Sequence, residues 1–309
     1  MKTNTKIKVI GVGGSGSNAV SRMMRHKIQG VELIAINTDF QDLKKAKAHF
    51  KIRIGKNLTK GLGSGMNPQI GKESALEQKQ EITNVLKGSD LIFITAGLGG
   101  GTGSGATPIV AELSKKQRIL TVAIVTTPFS FEGRARKKIA EQSLEKLKQN
   151  VDSLIAISND KLLSFLNPET SLVSAFSFCD DILRQAVQGI SDLISSSGII
   201  NVDFANVKAV LRNSGSALFG IGKASGPKRA KEAAFSAVNS PLLDVSLKGA
   251  KGILFNVAGG RDLALSEIDD IAKIITKETS SDAKVIFGAV YDRKLRRGEL
   301  KVTLIATGF

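Results

Sequence analysis

Short apolar runs alternate with amphipathic stretches through the first half of the chain. The runs Ile7–Val12, Glu32–Ile36, Lys51–Ile54, Asp90–Ala96, Ile119–Thr126 and Ser153–Ser158 read as strands. Helical spacing of apolar positions fills the gaps over 19–29, 40–47, 72–87, 108–116 and 134–149, with a polar, glycine-rich loop at 55–71. Strands this apolar, separated by helices, predict a parallel sheet buried on both faces. From 172 to 197 one long helical pattern runs unbroken, with Leu172, Phe176, Ile182, Leu183, Ala186, Ile190, Leu193 and Ile194 spaced to pack on more than one side. After Gly198 the pattern changes to strands at 216–221, 252–258, 284–291 and 300–307 and helices at 227–238 and 266–279. The expected fold is therefore α/β: a parallel-sheet nucleotide-binding domain (1–171), a long connecting helix (172–200) and a smaller α/β domain (201–309).

Two glycine-rich stretches stand where strands end. Residues 99–105 read Gly-Gly-Gly-Thr-Gly-Ser-Gly directly after the apolar run ending at Ala96. A chain accepts that much backbone entropy where side chains would obstruct something. A phosphate chain, gripped by bare N–H groups and the hydroxyls of Thr102 and Ser104, fits a loop between a strand and a helix N-terminus. The second stretch, Gly11 through Asn18, matches Gly-x-Gly-x-x-Gly, and Asn37-Thr38-Asp39 places an acid about twenty positions on. Taken alone this is a dinucleotide fingerprint, but a standard dinucleotide fold does not need both loops. In open parallel sheets ligands bind beyond the carboxyl ends of the strands, where both glycine loops, Asn37-Thr38-Asp39, Thr126–Phe129 and Asn159-Asp160 all fall.

Composition narrows the chemistry. The chain has 309 residues, one cysteine, two histidines, no Trp and a single Tyr. Cys179, in an apolar helical stretch, reads as buried packing; a lone cysteine supports neither a disulfide framework nor a Cys-rich metal site and fits a reducing cytosol. His26 and His49 have no metal partners at ligand spacing, and no direct side-chain metal ligation is expected. The formal net charge is +16, yet the lysines are scattered and stacking aromatics are scarce, which argues against nucleic acid as a partner. The charge leaves a direct hold on anionic membrane as an expectation to be tested. No run of apolar residues is long enough to span a bilayer. The entry into a strand by residue 7 leaves no room for a leader, and no tail is expected after Phe309. The P-loop pattern is absent: the nearest match, Gly65–Gly71-Lys72-Glu73, has one residue too many and Glu in place of a hydroxyl.

In their order, seven stretches resemble the tubulin/FtsZ family of cell-division GTPases, and the resemblance covers essentially the whole chain. They are Gly99–Gly105, Gly11–Asn18, Asn37-Thr38-Asp39, Gly63–Pro68, Pro128–Arg136, Asn159-Asp160-Lys161 and Asn201–Asn206. The resemblance implies GTP/GDP with Mg²⁺ as cofactors. It places Gly13, Gly14, Ser15 and Asn18 along the phosphates with Gly99, Gly100, Gly101, Thr102 and Gly103. Asn37 and Asp39 join the same site. Glu132 would meet the ribose and Arg136 the sugar and phosphates. Asn159 and Asp181 would read the guanine edge, with Phe176 stacked on the ring. A carboxylate accepting from guanine N1 and N2 would be left unpaired by adenine.

The resemblance further implies self-assembly head to tail, in the cytoplasm at the division site. A loop carrying Asn201, Asp203 and Asn206 would complete the hydrolytic site of the neighbouring subunit. Twenty-odd helical residues separate that loop from the chain's own nucleotide by roughly 35–40 Å. Heterologous contacts of this kind propagate as filaments. The family usually has an acid where this chain has Asn206. An amide can hold a water but cannot take its proton, and general-base terms are worth about 10²–10⁴ in rate. Slow hydrolysis is the expectation. Membrane-anchoring division proteins are partners in the family, through a terminal peptide not expected here. Two other readings stay open: a GTP-binding structural relative that does not hydrolyse, and an NAD-dependent oxidoreductase built on Gly11–Gly16 and Asp39.

Overall fold

The computed structural model describes residues 5–28, 30–167, 169–195, 199–243, 247–292 and 294–309. The chain divides into two compact units, Met1–Gln188 and Gly189–Phe309.

The first unit runs β1 (Ile7–Val12), α1 (Gly13–Arg25), β2 (Val31–Asn37), α2 (Phe40–Lys45), β3 (Phe50–Arg53), α3 (Pro68–Glu77), α4 (Lys79–Leu86), β4 (Leu91–Gly97), α5 (Gly101–Lys116), β5 (Leu120–Thr127), α6 (Arg134–Lys148), β6 (Ser153–Ser158) and α7 (Asn159–Leu162). The division between units falls within α8 (Leu172–Ser195). Strand order in this unit is β3-β2-β1-β4-β5-β6, with every pair parallel. Five of the six residues of β1 and six of the seven of β4 are buried, as strands covered on both faces must be. Val12 is level with Ile36 on one side and Ala96 on the other, so the strands end along one edge. The chain leaves β1 toward β2 on one side and reaches β4 on the other. The crevice between β1 and β4 is thus a topological switch point, and α1 and α5 both start from it.

The second unit contains α9 (Phe204–Leu211), β7 (Gly215–Ser225), α10 (Arg229–Val238), β8 (Gly252–Gly259), α11 (Leu265–Lys277), β9 (Lys284–Tyr291) and β10 (Glu299–Thr307). Strand order is β7-β10-β8-β9, with β10 antiparallel to both neighbours and β8 parallel to β9. Ala230, Ala233, Ala234 and Ala237 of α10 are buried in its core with Ile268, Ile271 and Ile275 of α11. Small residues let α10 lie directly on β7: a Cβ at Gly222 would come within 2.0 Å of the Ala233 carbonyl oxygen.

The α/β alternation predicts this architecture, but three local expectations are corrected. Helix α1 begins at Gly13 rather than at Ala19, and α5 at Gly101 rather than at Pro108. Much of each glycine-rich stretch is therefore helix, not loop. The helix expected over 72–87 is two helices meeting at Gln78, and the first starts at Pro68, where Asn67 caps it by accepting from the Gln69 N–H at 2.9 Å. Helix α9 was not expected. Of the long helix read over 172–197, residues 196–197 lie outside the described residues.

Candidate functional site

Glycines at the switch point have two distinct jobs. Gly13, at φ +75°, lets the start of α1 press against the start of α5, where a Cβ would stand 3.0 Å from the Gly103 nitrogen. Added Cβ atoms at Gly103 and Gly105 would meet carbonyl oxygens of Gly97 and Pro68 at 2.3 and 2.0 Å, and one at Gly101 would meet Ser64 and Asn67. Those three glycines admit the protein's own backbone. Only Gly100 has open space where a side chain would go. Two helix N-termini, with their free N–H groups and partial positive charge, are thereby brought to one spot.

That spot opens into a cavity of about 270 Å³. Its lining includes Gly14, Ser15, Gly100, Gly101, Thr102 and Gly103 together with Glu132, Arg136, Asn159 and Phe176. A second cavity of about 440 Å³ is lined by Asn18, Arg22, Asp42 and Lys45 among others and shares Phe176 and Asp180 with the first. Together they have the size of a small-molecule site.

Most residues predicted for the site are brought together here, and the rest have other positions. Gly13 and Gly99 do not line either cavity; Gly99 packs on Pro128 and Arg136 and donates its N–H to Ser104 Oγ at 2.8 Å. Asn37 is buried behind the lining, its Oδ1 accepting from the Asp39 N–H at 3.3 Å. Asp39 caps α2, accepting from Asp42 N–H at 3.0 Å. The buried Thr102 hydroxyl bonds those of Thr38 (2.6 Å) and Ser64 (2.9 Å), pinning the start of α5 to the ends of β2 and of the 54–67 loop.

Asp181, the acid expected at the site, lines neither cavity, whereas its neighbour Asp180 does. Asp181 is held away from both cavities by Arg184, Nε to Oδ1 2.6 Å, and by Gln185, Nε2 to Oδ2 2.8 Å, and these bonds keep its carboxyl below its ordinary value. Asp180 faces both cavities. It is only 7% exposed, accepts from the Ser15 hydroxyl at 3.3 Å and lies 3.6 Å from the Arg22 guanidinium. Burial pushes its carboxyl up to about 6 against the pull of Arg22 and Ser15. Its neighbour Cys179, which lines the first cavity, is pushed up to about 12 by burial and by Asp180, so it stays an inert thiol.

At the cavity wall, Phe129 meets Phe176 edge-on at 5.4 Å and Phe131 face-on at 4.9 Å. Glu132 accepts from the Phe129 N–H at 2.9 Å and pairs with Arg136 at 3.3 Å, so the loop after β5 is fixed before anything binds. Asn159 is buried with Oδ1 unpartnered, and Asn37 is buried with Nδ2 unpartnered. Such atoms are costly without a ligand or water.

Asn201, Asp203 and Asn206 lie together in the second unit, all exposed. Asp203 caps α9, its Oδ1 accepting from the Ala205 N–H at 3.1 Å, and Asn206 stands in that helix's first turn. Sequence reasoning missed Asp180, Ser64 and Arg22. The only signal for the last was its spacing four residues after Asn18, one helical turn along α1.

Residues 6–167 match the family model described as the Tubulin/FtsZ family, GTPase domain, and residues 215–309 that of the FtsZ family, C-terminal domain. A solved structure of the empty FtsZ dimer from M. jannaschii is 48% identical, covers 100% of this chain and 89% of its own, and superposes with a TM-score of 0.96. The W319Y mutant of FtsZ from M. jannaschii is also 48% identical, with 98% and 91% covered and a TM-score of 0.95. CetZ2 from Haloferax volcanii, solved as a GTPγS-bound protofilament, shares the fold at 23% identity, with 98% and 92% covered and a TM-score of 0.81.

Proposed function

This chain belongs to the tubulin/FtsZ family of GTPases, and from that premise we propose that it binds GTP in the double cavity of its first unit, assembles head to tail, and hydrolyses GTP slowly at each junction between copies. The phosphates lie over Gly100 and the N-termini of α1 and α5, where backbone amides supply most of the donors and the linked Thr38–Thr102–Ser64 hydroxyls one more. Phe176 packs on the base. Asp180, rather than Asp181, accepts from guanine N1 and N2, and Asn159 offers its unpartnered Oδ1 to the same edge. Glu132 and Arg136 border the sugar. The donor set at the phosphate end is hydroxyl and amide, which suits a Mg²⁺ carried in on the nucleotide and bound by phosphate oxygens and water. When bound, that ion supplies charge neutralisation.

One observation carries the assembly reading. Among the described residues the two acids lining the first cavity are Glu132, paired with Arg136, and Asp180, paired with Ser15 and Arg22, so neither is free to polarise a water. Asp203, exposed in the second unit, is an acid available for that role. A second copy can present it. The apolar rim, Leu62 at 88% exposure with Met66 and Phe131, gives that copy a surface to cover. Assembly at the division site of the cell follows from this role.

The test is phosphate release measured against protein concentration, with light scattering in parallel. Turnover per molecule that appears only above the concentration at which scattering rises supports the reading. Constant turnover per molecule in dilute, monomeric protein refutes it. Assembly with no phosphate release would favour a non-hydrolysing structural relative, the reading that Asn206 keeps open.

A further inference from the structure

The connection from β9 to β10, which passes β8 at the edge of the second unit's sheet, forms a tip that collects charge the GTPase reading does not use. Arg261 and Arg297 line a cavity of about 390 Å³ there with Tyr291 and Leu295, and Lys294 and Arg296 are exposed in the same connection. The Arg261 guanidinium lies 5.8 Å from the centre of the Tyr291 ring, which is 40% exposed. Each nearby acid is already engaged inside the tip. Asp262 is bound by the buried Arg229 at 2.7 Å and by the Gly298 N–H at 3.0 Å, which also anchors the β9–β10 connection. Asp292 accepts from the Lys294 N–H at 2.9 Å. Glu299 pairs with Lys223 at 3.2 Å and accepts from the Arg296 N–H at 3.0 Å. Among the described residues no carboxylate pairs with the side chains of Arg261, Arg296 or Arg297. The tip therefore presents an outward positive field on a pinned frame.

We propose that this tip is a membrane-contact site that takes the phosphate headgroups of anionic lipid. The two guanidinium forks that line the cavity, Arg261 and Arg297, suit a phosphodiester oxygen pair. An exposed Tyr beside a half-buried Leu within a basic cluster is the side-chain mixture that settles at a headgroup interface. Nucleic acid fits less well, because Tyr291 is the chain's only Tyr or Trp and its ring already carries Arg261. One copy binds weakly, since each Lys or Arg near an anionic surface strengthens partition about five-fold. Filaments repeat the site along their length and convert that into avidity; this last step rests on the assembly reading.

The experiment measures partition onto vesicles of equimolar phosphatidylglycerol and phosphatidylcholine, first with GDP-held, unassembled protein at low salt. Arg296→Gln/Arg297→Gln removes two exposed charges and keeps the backbone bond to Glu299. It is expected to lower the partition coefficient about twenty- to thirty-fold, while Lys146→Gln/Lys148→Gln, two exposed charges of α6, changes it less than about three-fold. Equal losses in both variants, no partition by the unmodified protein, or binding to duplex DNA that depends on Arg296 and Arg297 without binding to vesicles would each overturn the proposal. Flotation with GTP then tests avidity. If light scattering without vesicles shows no polymer, the assembly reading fails, whereas the GDP measurement still reads the tip.

Discussion

Ser15 donates its hydroxyl to the Asp180 carboxylate across 3.3 Å, joining the first turn of α1 to α8. The helix that begins at the phosphate cradle is thus tied to the acid assigned to the base. Asp180 also meets Arg22 one to two turns further along α1, so a single carboxylate registers the two helices.

This arrangement makes nucleotide binding and stability move oppositely with pH. The folded protein holds the Asp180 proton more tightly, near pH 6, than an unfolded chain does at its ordinary 3.8. Acidification from about pH 6 to pH 4 therefore stabilises the empty protein through this group, by about 3 kcal/mol in full. Guanine needs the ionised carboxylate, so GTP affinity should fall as pH drops below 6. Asp180→Asn is expected to raise the melting temperature of the nucleotide-free protein by several degrees at pH 7 and little at pH 4.5, while weakening GTP at least ten-fold. Thermal melts and nucleotide titrations across this range check both signs.

Glycine substitutions should separate packing from binding. Gly103→Ala and Gly105→Ala drive a methyl into backbone carbonyls, and each should cost about 3 kcal/mol or more because backbone cannot step aside as a side chain can. Gly100→Ala meets nothing within 4 Å. It should melt within about 1 kcal/mol of the unmodified protein, yet lose GTP affinity because its methyl enters the space assigned to phosphate. Calorimetric melting and GTP titration of the three variants distinguish the two roles.

These glycines also show where sequence reading reached its limit. Runs of apolar residues located all six strands of the first unit, because burial on both faces leaves an unmistakable pattern. Gly101–Gly105 and Gly13–Gly16 read as loop, because glycine is a poor helix former. Contact with Pro68, Gly97 and each other overrides that propensity, and such contacts are invisible without the fold. The acid that lines the cavity, Asp180, differs from the expected Asp181 for a related reason. Asp180 and Asp181 are adjacent on α8 and point about 100° apart. Only the phase of the helix in its surroundings, with Arg184 and Gln185 drawing one away, decides which faces the cavity.

In the second unit the same kind of accounting falls on Arg229. It is 4% exposed and its guanidinium is shared between Asp262 and Glu267, at 2.7 and 2.6 Å. The guanidinium holds the Glu267 carboxyl below its ordinary range, so this pairing adds stability at neutral pH that is lost as pH falls through the folded value. Arg229→Ala removes a buried guanidinium and its bonds to two partly solvent-exposed carboxylates, and should destabilise folding by roughly 1–3 kcal/mol. Denaturant unfolding monitored separately from nucleotide binding checks that the damage is to folding and not to the GTP cavity.

Asn206 offers the most direct test of the junction. It stands in the first turn of α9, one residue after the N–H that Asp203 caps, and is exposed. Asn206→Asp adds a carboxylate where an amide can only orient water, and places it near a helix N-terminus, which tolerates negative charge. Turnover above the assembly threshold is expected to rise ten-fold or more, with GTP affinity and folding unchanged. Asp203→Asn keeps an N-cap for α9 and should abolish turnover while leaving GTP-driven scattering intact. If Asn206→Asp leaves phosphate release unaltered while Asp203→Asn abolishes it, Asp203 acts alone, and the slow-hydrolysis reading of position 206 is wrong.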